Sequence, residues 1–127
     1  MKQQEEGVGE SGNEPGDFAN FPQITAKSVE ILRGRKFEGL LPIQYSTFSL
    51  IYERKDIIAR DLTGSGKTLG FCLPIVEYMR ANKMFGKKKP QVVMLAPTRE
   101  LALQVSPLVS SPDFPRAATA EALQERV

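Results

Sequence analysis

Thr63-Gly64-Ser65-Gly66-Lys67-Thr68 places two glycines, an ammonium group and three hydroxyls close to one another in a short run. Such a run suits the binding of a polyphosphate. Glycines let backbone N–H groups close around phosphate oxygens, and a helix starting at the lysine adds the positive end of its dipole. Lys67 would reach the β and γ phosphates, while the Thr68 hydroxyl would ligate Mg²⁺. The alternative is a glycine turn with an incidental lysine, and a preceding strand with a following helix is what separates the two. One position departs from the general pattern. Asp61 stands where a glycine is usual, and its carboxylate opposes a triphosphate unless the side chain points away.

Other chemistries are removed by composition. The 127 residues include no histidine, which excludes Ser-His-Asp and Cys-His catalysis, imidazole acid–base chemistry and His-ligated metal sites. Cys72 is the only cysteine, so an internal disulfide is impossible; the expectation is a reducing compartment and a small buried hydrophobe. No secretory pattern opens the chain, and no apolar run approaches the roughly 18 residues of a membrane span. A soluble intracellular protein, with no membrane partner, is expected. The formal charge of +2 is unevenly spread: Lys2 faces Glu5, Glu6, Glu10, Glu14 and Asp17 at the start, and the lysine and arginine excess lies between Phe18 and Ser106. A basic folded part suits an anionic partner, although Lys87, Lys88 and Lys89 also fit a solvated loop.

The elements that must position the loop follow from periodicity. Residues 1–17 hold Val8 as the one large apolar side chain after Met1, and are expected to form a disordered acidic arm. Thr25 caps a short helix with Val29 and Leu32 on one face and Gly34 as its stop. Pro42 opens a second helix with Ile43, Thr47, Leu50 and Ile51 on one stripe. Residues 56–60 read as a strand, the glycines break it, and a helix carrying Leu69, Phe71, Leu73, Ile75, Val76, Tyr78 and Met79 follows, with Pro74 as a kink; these side chains read as core rather than as a cofactor box. Residues 91–96, QVVMLA, have the length and composition of a buried parallel strand, and a helix from Pro97 or Thr98 runs to about Val105. Strand, helix, strand gives an α/β fold with a parallel sheet.

Pro97-Thr98-Arg99-Glu100-Leu101-Ala102-Leu103-Gln104, together with DLTGSGKT and the upstream LLPIQ, closely resembles the DEAD-box ATP-dependent RNA helicase family, and residues 18–44 most resemble its nucleolar helicases of the Gu type. The resemblance runs from about Phe18 to Ser106. It implies the N-terminal portion of a RecA-like P-loop domain, a three-layer fold around a parallel sheet, with ATP and Mg²⁺ as cofactors and a nuclear or nucleolar location, the cytoplasm being the alternative. Phosphate contacts would fall to Thr63, Gly64, Ser65, Gly66, Lys67 and Thr68. Gln44 corresponds to the adenine-reading glutamine, and a carboxamide can donate to N7 and accept from N6 of adenine at once. Phe18, with Phe21 as the alternative, corresponds to the aromatic packed by the adenine. Pro97, Thr98, Arg99 and Glu100 correspond to the first RNA-contacting element, where helix N–H groups, a hydroxyl and a guanidinium hold a sugar-phosphate backbone without reading bases. The plainer alternative is that Thr98 caps its helix, Glu100 complements the dipole and Arg99 is solvated.

The resemblance stops there. An acid at the end of a later strand, supplied in the family by Asp-Glu-Ala-Asp, has no counterpart, and residues 107–127 depart from the pattern and read as a disordered tail. The expectation is therefore a helicase by family that binds ATP and RNA but does not hydrolyse, because Lys67 and Thr68 lack their catalytic partners. The alternatives are a non-catalytic short form that binds RNA or a helicase, and a truncated gene product.

Overall fold

The computed structural model describes residues 14–86 and 89–110. A 3-10 turn at Phe18–Asn20 precedes four helices: α1 (Ala26–Gly34), α2 (Pro42–Tyr52), α3 (Lys67–Ala81) and α4 (Arg99–Ser110). Order begins ahead of Phe18. The Gly16 carbonyl accepts from the Leu40 N–H at 2.7 Å, and Asp17 accepts from the Ala19 N–H at 2.9 Å to cap the 3-10 turn. A Cβ at Gly16 would lie 2.1 Å from the Leu40 carbonyl oxygen, so only glycine allows this crossing. Residues 1–13 and 111–127, and with them most of the expected arm and tail, lie outside the described residues.

Phe18, Phe21, Ile24, Leu32, Leu40, Phe48 and Leu73 form the main core. Phe21 meets Phe48 edge-on at 5.2 Å, and Phe48 stacks on Tyr52 at 6.1 Å. The two middle helices run in the same direction: Gln44 at the start of α2 touches Gly66 at the start of α3, and Tyr52 at the end of α2 meets Tyr78 near the end of α3. The first helix runs the opposite way. Ser28 near its start bonds Glu77 late in α3, whereas Arg35 just past its end shares a small cavity with Leu69 and Cys72. A second cluster, Cys72 and Val76 with Phe71, Phe85, Met94 and Val105, joins α3 to α4.

Thr25 caps α1 as expected, its Oγ1 accepting from the Ser28 N–H, and Pro42 is the first residue of α2. Leu73, Val76 and Met79 are buried, with Leu69, Phe71, Ile75 and Tyr78 half-buried beside them, in agreement with the core reading of that stripe. Helix α3 runs through Pro74 as a single element. Four expectations are corrected. The buried face of α2 carries Gln44 and Phe48 and leaves Leu50 exposed, because the Gln44 amide finds hydrogen-bond partners at the helix start. Gly34 does not stop α1; it is the last helical residue, and the left-handed position falls two residues on, at Lys36. The fourth helix continues past Val105 to Ser110.

The largest correction concerns the sheet. Among the described residues there is no strand: residues 56–60 and 91–96 are irregular, and no backbone hydrogen bond involves either segment. Ile58 is fully exposed and Leu95 nearly so, and only Met94 of the QVVMLA run is half-buried. A parallel strand needs a neighbour for its N–H and C=O groups and cover on both faces, and within these residues neither segment supplies the other with either.

Candidate nucleotide-binding site

Two left-handed glycines shape the loop that enters α3. Gly64 has φ 81° and Gly66, the N-cap, has φ 85° and ψ 22°, values that cost an L side chain about 1–2 kcal/mol. The turn is closed by the Ser65 N–H donating to the Leu62 carbonyl at 3.2 Å. Gly70 is the first residue of α3 whose N–H bonds backward, to the Gly66 carbonyl at 3.1 Å. The N–H groups of Lys67, Thr68 and Leu69 therefore have no carbonyl partner among the described residues, which is the usual state of a helix start and the basis of its affinity for anions. Asp61, Leu62, Thr63 and Gly64, the residues that lead into it, are exposed.

Lys67 is held inside its own loop. Its Nζ donates to the Asp61 carbonyl at 2.7 Å, to the Leu62 carbonyl at 2.5 Å and to Ser65 Oγ at 3.3 Å. An entering phosphate must exchange neutral carbonyl partners for charged oxygens, an exchange that favours the phosphate because charge-assisted hydrogen bonds are the stronger kind. The Asp61 carboxylate does not pair with Lys67; its Oδ1 accepts from the Leu62 N–H at 2.8 Å, which ties it to its own backbone. The Thr68 hydroxyl, half-buried in the first turn of α3, makes no hydrogen bond among the described residues, so a lone pair is open to a hard cation.

Gln44 clasps this loop from below. It is 2 % exposed, its Oε1 accepts from the Leu41 N–H at 2.9 Å, and its Nε2 donates to the Gly66 carbonyl at 3.1 Å. The first bond is half of a capping box; the other half is absent because Leu41 has no side-chain acceptor. A Cβ on Gly66 would lie 2.5 Å from Gln44 Nε2, so the close approach depends on that glycine. One N–H and one lone pair of the carboxamide remain, the pair of groups that adenine would use. Phe18, by contrast, sits in the core at 6 % exposure, and Phe21 is buried as well.

The Pro97–Glu100 stretch stands apart. All four residues are exposed, and among the described residues no hydrogen bond or ion pair links them to the phosphate loop. Thr98 Oγ1 accepts from the Leu101 N–H at 3.3 Å, so it does cap α4, and Glu100 lies in the first turn. Lys89 is exposed; Lys87 and Lys88 are outside the described residues.

Sequence reasoning missed a buried polar network at the far end of α3. Glu77, 1 % exposed, accepts from Ser28 Oγ through Oε1 and from the Thr25 N–H at 3.3 Å through Oε2. Arg80 Nη1 donates to Glu77 Oε1 at 3.0 Å, to Ser28 Oγ at 2.8 Å and to Thr25 Oγ1 at 2.5 Å. The signal was present: Glu77 lies one turn after Leu73 on the apolar stripe, with an arginine three residues on. At ten residues from Lys67, about 15 Å along a helix, Glu77 cannot reach the loop's phosphates. Burial pushes the Cys72 thiol up to about 12, which keeps it protonated and inert.

A glycine-rich turn opening a helix, a lysine and hydroxyl at its start and a glutamine clasp are the features that a phosphate-binding loop requires. The chain belongs to the DEAD/DEAH box helicase family, whose model matches residues 41–111, more than half of it. It is 47% identical over 93 residues to human "ATP-dependent RNA helicase DDX50", covering 72% of this chain and 12% of that protein. It is 46% identical over 93 residues to rat "Nucleolar RNA helicase 2", with the same coverage of 72% and 12%. For the Arabidopsis thaliana "DEAD-box ATP-dependent RNA helicase 9, mitochondrial" the figure is 43% over 102 residues, 79% of this chain and 17% of the relative. The chain thus spans about an eighth to a sixth of the length of these relatives.

Proposed function

We propose that this chain is the ATP-binding front of an RNA helicase core. The observation that carries the reading is the loop itself: two left-handed glycines, three open N–H groups, Lys67 on carbonyls that a phosphate can displace, and Gln44 clasping the turn with a donor and an acceptor to spare. The phosphates sit on Thr63 to Thr68, Thr68 supplies the oxygen for Mg²⁺, and Gln44 reads adenine. Phe18 supports the adenine end from within the core. Pro97, Thr98, Arg99 and Glu100 meet the RNA backbone through the start of α4. In the whole domain, residues 56–60 and 91–96 pair with further strands as part of a RecA-like three-layer sheet. A nucleolar location is proposed from the resemblance to the nucleolar relatives.

On its own the chain binds without turnover. Phosphoryl transfer needs a carboxylate on Mg²⁺ and cations on the developing charge. Glu77 is buried in its own network, Glu100 heads α4, and Asp61, the acid that does stand at the loop, turns its Oδ1 to the Leu62 N–H. Base choice provides the test. Guanine offers an acceptor, O6, where adenine offers a donor, so the wild type is expected to bind ATP more tightly than GTP, and Gln44→Ala to flatten that ratio in a competition assay. Equal affinity of the wild type for both nucleotides would remove Gln44 from this role.

A further inference from the structure

Three helices end the same way. At α1 the Phe37 N–H bonds the Leu32 carbonyl at 3.0 Å and the Lys36 N–H bonds the Arg33 carbonyl at 2.9 Å; α2 repeats this with Lys55 to Leu50 and Arg54 to Ile51, and α3 with Met84 to Met79 and Lys83 to Arg80. These are Schellman motifs, in which a glycine usually takes the left-handed position. Here Lys36, Arg54 and Lys83 take it, at φ 66°, 62° and 51°. Attraction to the helix dipole, about 0.3–1 kcal/mol, offsets part of the strain at each.

Lys36 differs from the other two in its company. Arg54 lies over the Tyr78 ring at 5.8 Å, and its neighbour Lys55 pairs with Glu53 at 2.5 Å. Beside Lys36 stand Arg33 and Arg35, all three exposed, and none of them forms an ion pair among the described residues. Arg33 and Lys36 share an open hollow with Phe37 and Glu38, two cations against one acid. Phe37 and Leu32, packed in the main core, fix the backbone beneath them. The cluster lies at the phosphate-loop end of α3, since Arg35 borders Leu69 and Cys72 there.

We propose that Arg33, Arg35 and Lys36 form a second RNA-backbone site, separate from the Pro97–Glu100 element, which takes the phosphates of a single strand without reading its bases. The strain at Lys36 is retained because it holds an ammonium where a glycine would leave only backbone. This rests on the RNA reading above. A polyanion suits three exposed cations within four residues of chain, whereas a nucleotide is already provided for by the loop at Lys67.

Lys36→Gly separates charge from structure, because glycine accepts φ 66° without strain. The full chain, its Arg33→Gln/Arg35→Gln/Lys36→Gly variant and its Arg99→Gln variant are titrated with a twelve-nucleotide oligouridylate over a range of salt, and with Mg·ATP. The triple variant is expected to bind RNA about tenfold more weakly with a salt slope lower by about 2, three phosphate contacts at roughly 0.7 each, and to bind ATP as the wild type does. Lys36→Gly alone should keep or raise the unfolding midpoint. Unchanged RNA affinity and slope in the triple variant, with loss confined to Arg99→Gln, overturns the second site and leaves the first. Loss of ATP affinity with RNA binding intact assigns the cluster to the nucleotide and overturns the proposal as well. A wild type that does not bind the oligonucleotide overturns both RNA sites.

Discussion

Glu77→Ala lowers the unfolding free energy by about 3 kcal/mol, the low end of the range for removing one partner of a buried ion pair. The low end applies because Arg80 retains 21% side-chain exposure and can reach water, whereas the Glu77 carboxylate has none. The substitution leaves the Ser28 hydroxyl and the Thr25 N–H without their acceptor and removes two of the bonds that tie α1 to the end of α3. Glu77→Gln keeps the shape and an acceptor oxygen, so it costs less, about 1–2 kcal/mol. Urea denaturation followed through the three tyrosines, in a protein without tryptophan, reads both values. A loss below about 1 kcal/mol for the alanine variant would mean that solvation of the freed groups compensates fully.

Gly66→Ala acts at the opposite end of α3, on binding as well as on stability. A side chain at φ 85° costs about 1–2 kcal/mol, and the added Cβ, 2.5 Å from Gln44 Nε2, must also expel the clasp. The expected result is a loss of about 2 kcal/mol in stability and at least tenfold in Mg·ATP affinity. Gly64→Ala carries the φ cost alone, because its Cβ would meet open space. In a Gln44→Ala background the Gly66 penalty shrinks by about 1 kcal/mol, since the two positions are in contact and their effects are not additive. Equal effects at Gly64 and Gly66 would show that Gln44 does not clasp the loop.

The glycine turn that opens α3 was legible because its signal is local: glycine, lysine and hydroxyl at fixed spacing, entering a helix, require nothing from elsewhere in the chain. Thr25, Pro42 and Thr98 were legible for the same reason, each serving its own helix end. Gln44 was expected to read the base, and its role as a clasp was missed, because its contact with Gly66 spans 22 residues and no periodicity reports it. Glu77 was passed over because an acid on an apolar stripe reads as an irregularity until the Ser28, Thr25 and Arg80 partners are in view. Gly34 misled because glycine is the usual residue at a left-handed stop, whereas basic residues beside a helix dipole fill that position three times among the described residues. Strand-like composition at 56–60 and 91–96 marks what a segment is suited to pair with, and pairing itself depends on neighbours that local sequence does not contain.

Calorimetric titration of Mg·ATP into the wild type and Lys67→Ala tests the central claim, that the loop at the start of α3 is a nucleotide site. The account predicts measurable binding by the wild type and a loss of about tenfold to a hundredfold in the variant, the worth of one or two charge-assisted hydrogen bonds to phosphate. Equal affinities for the two proteins would contradict it and place the nucleotide elsewhere.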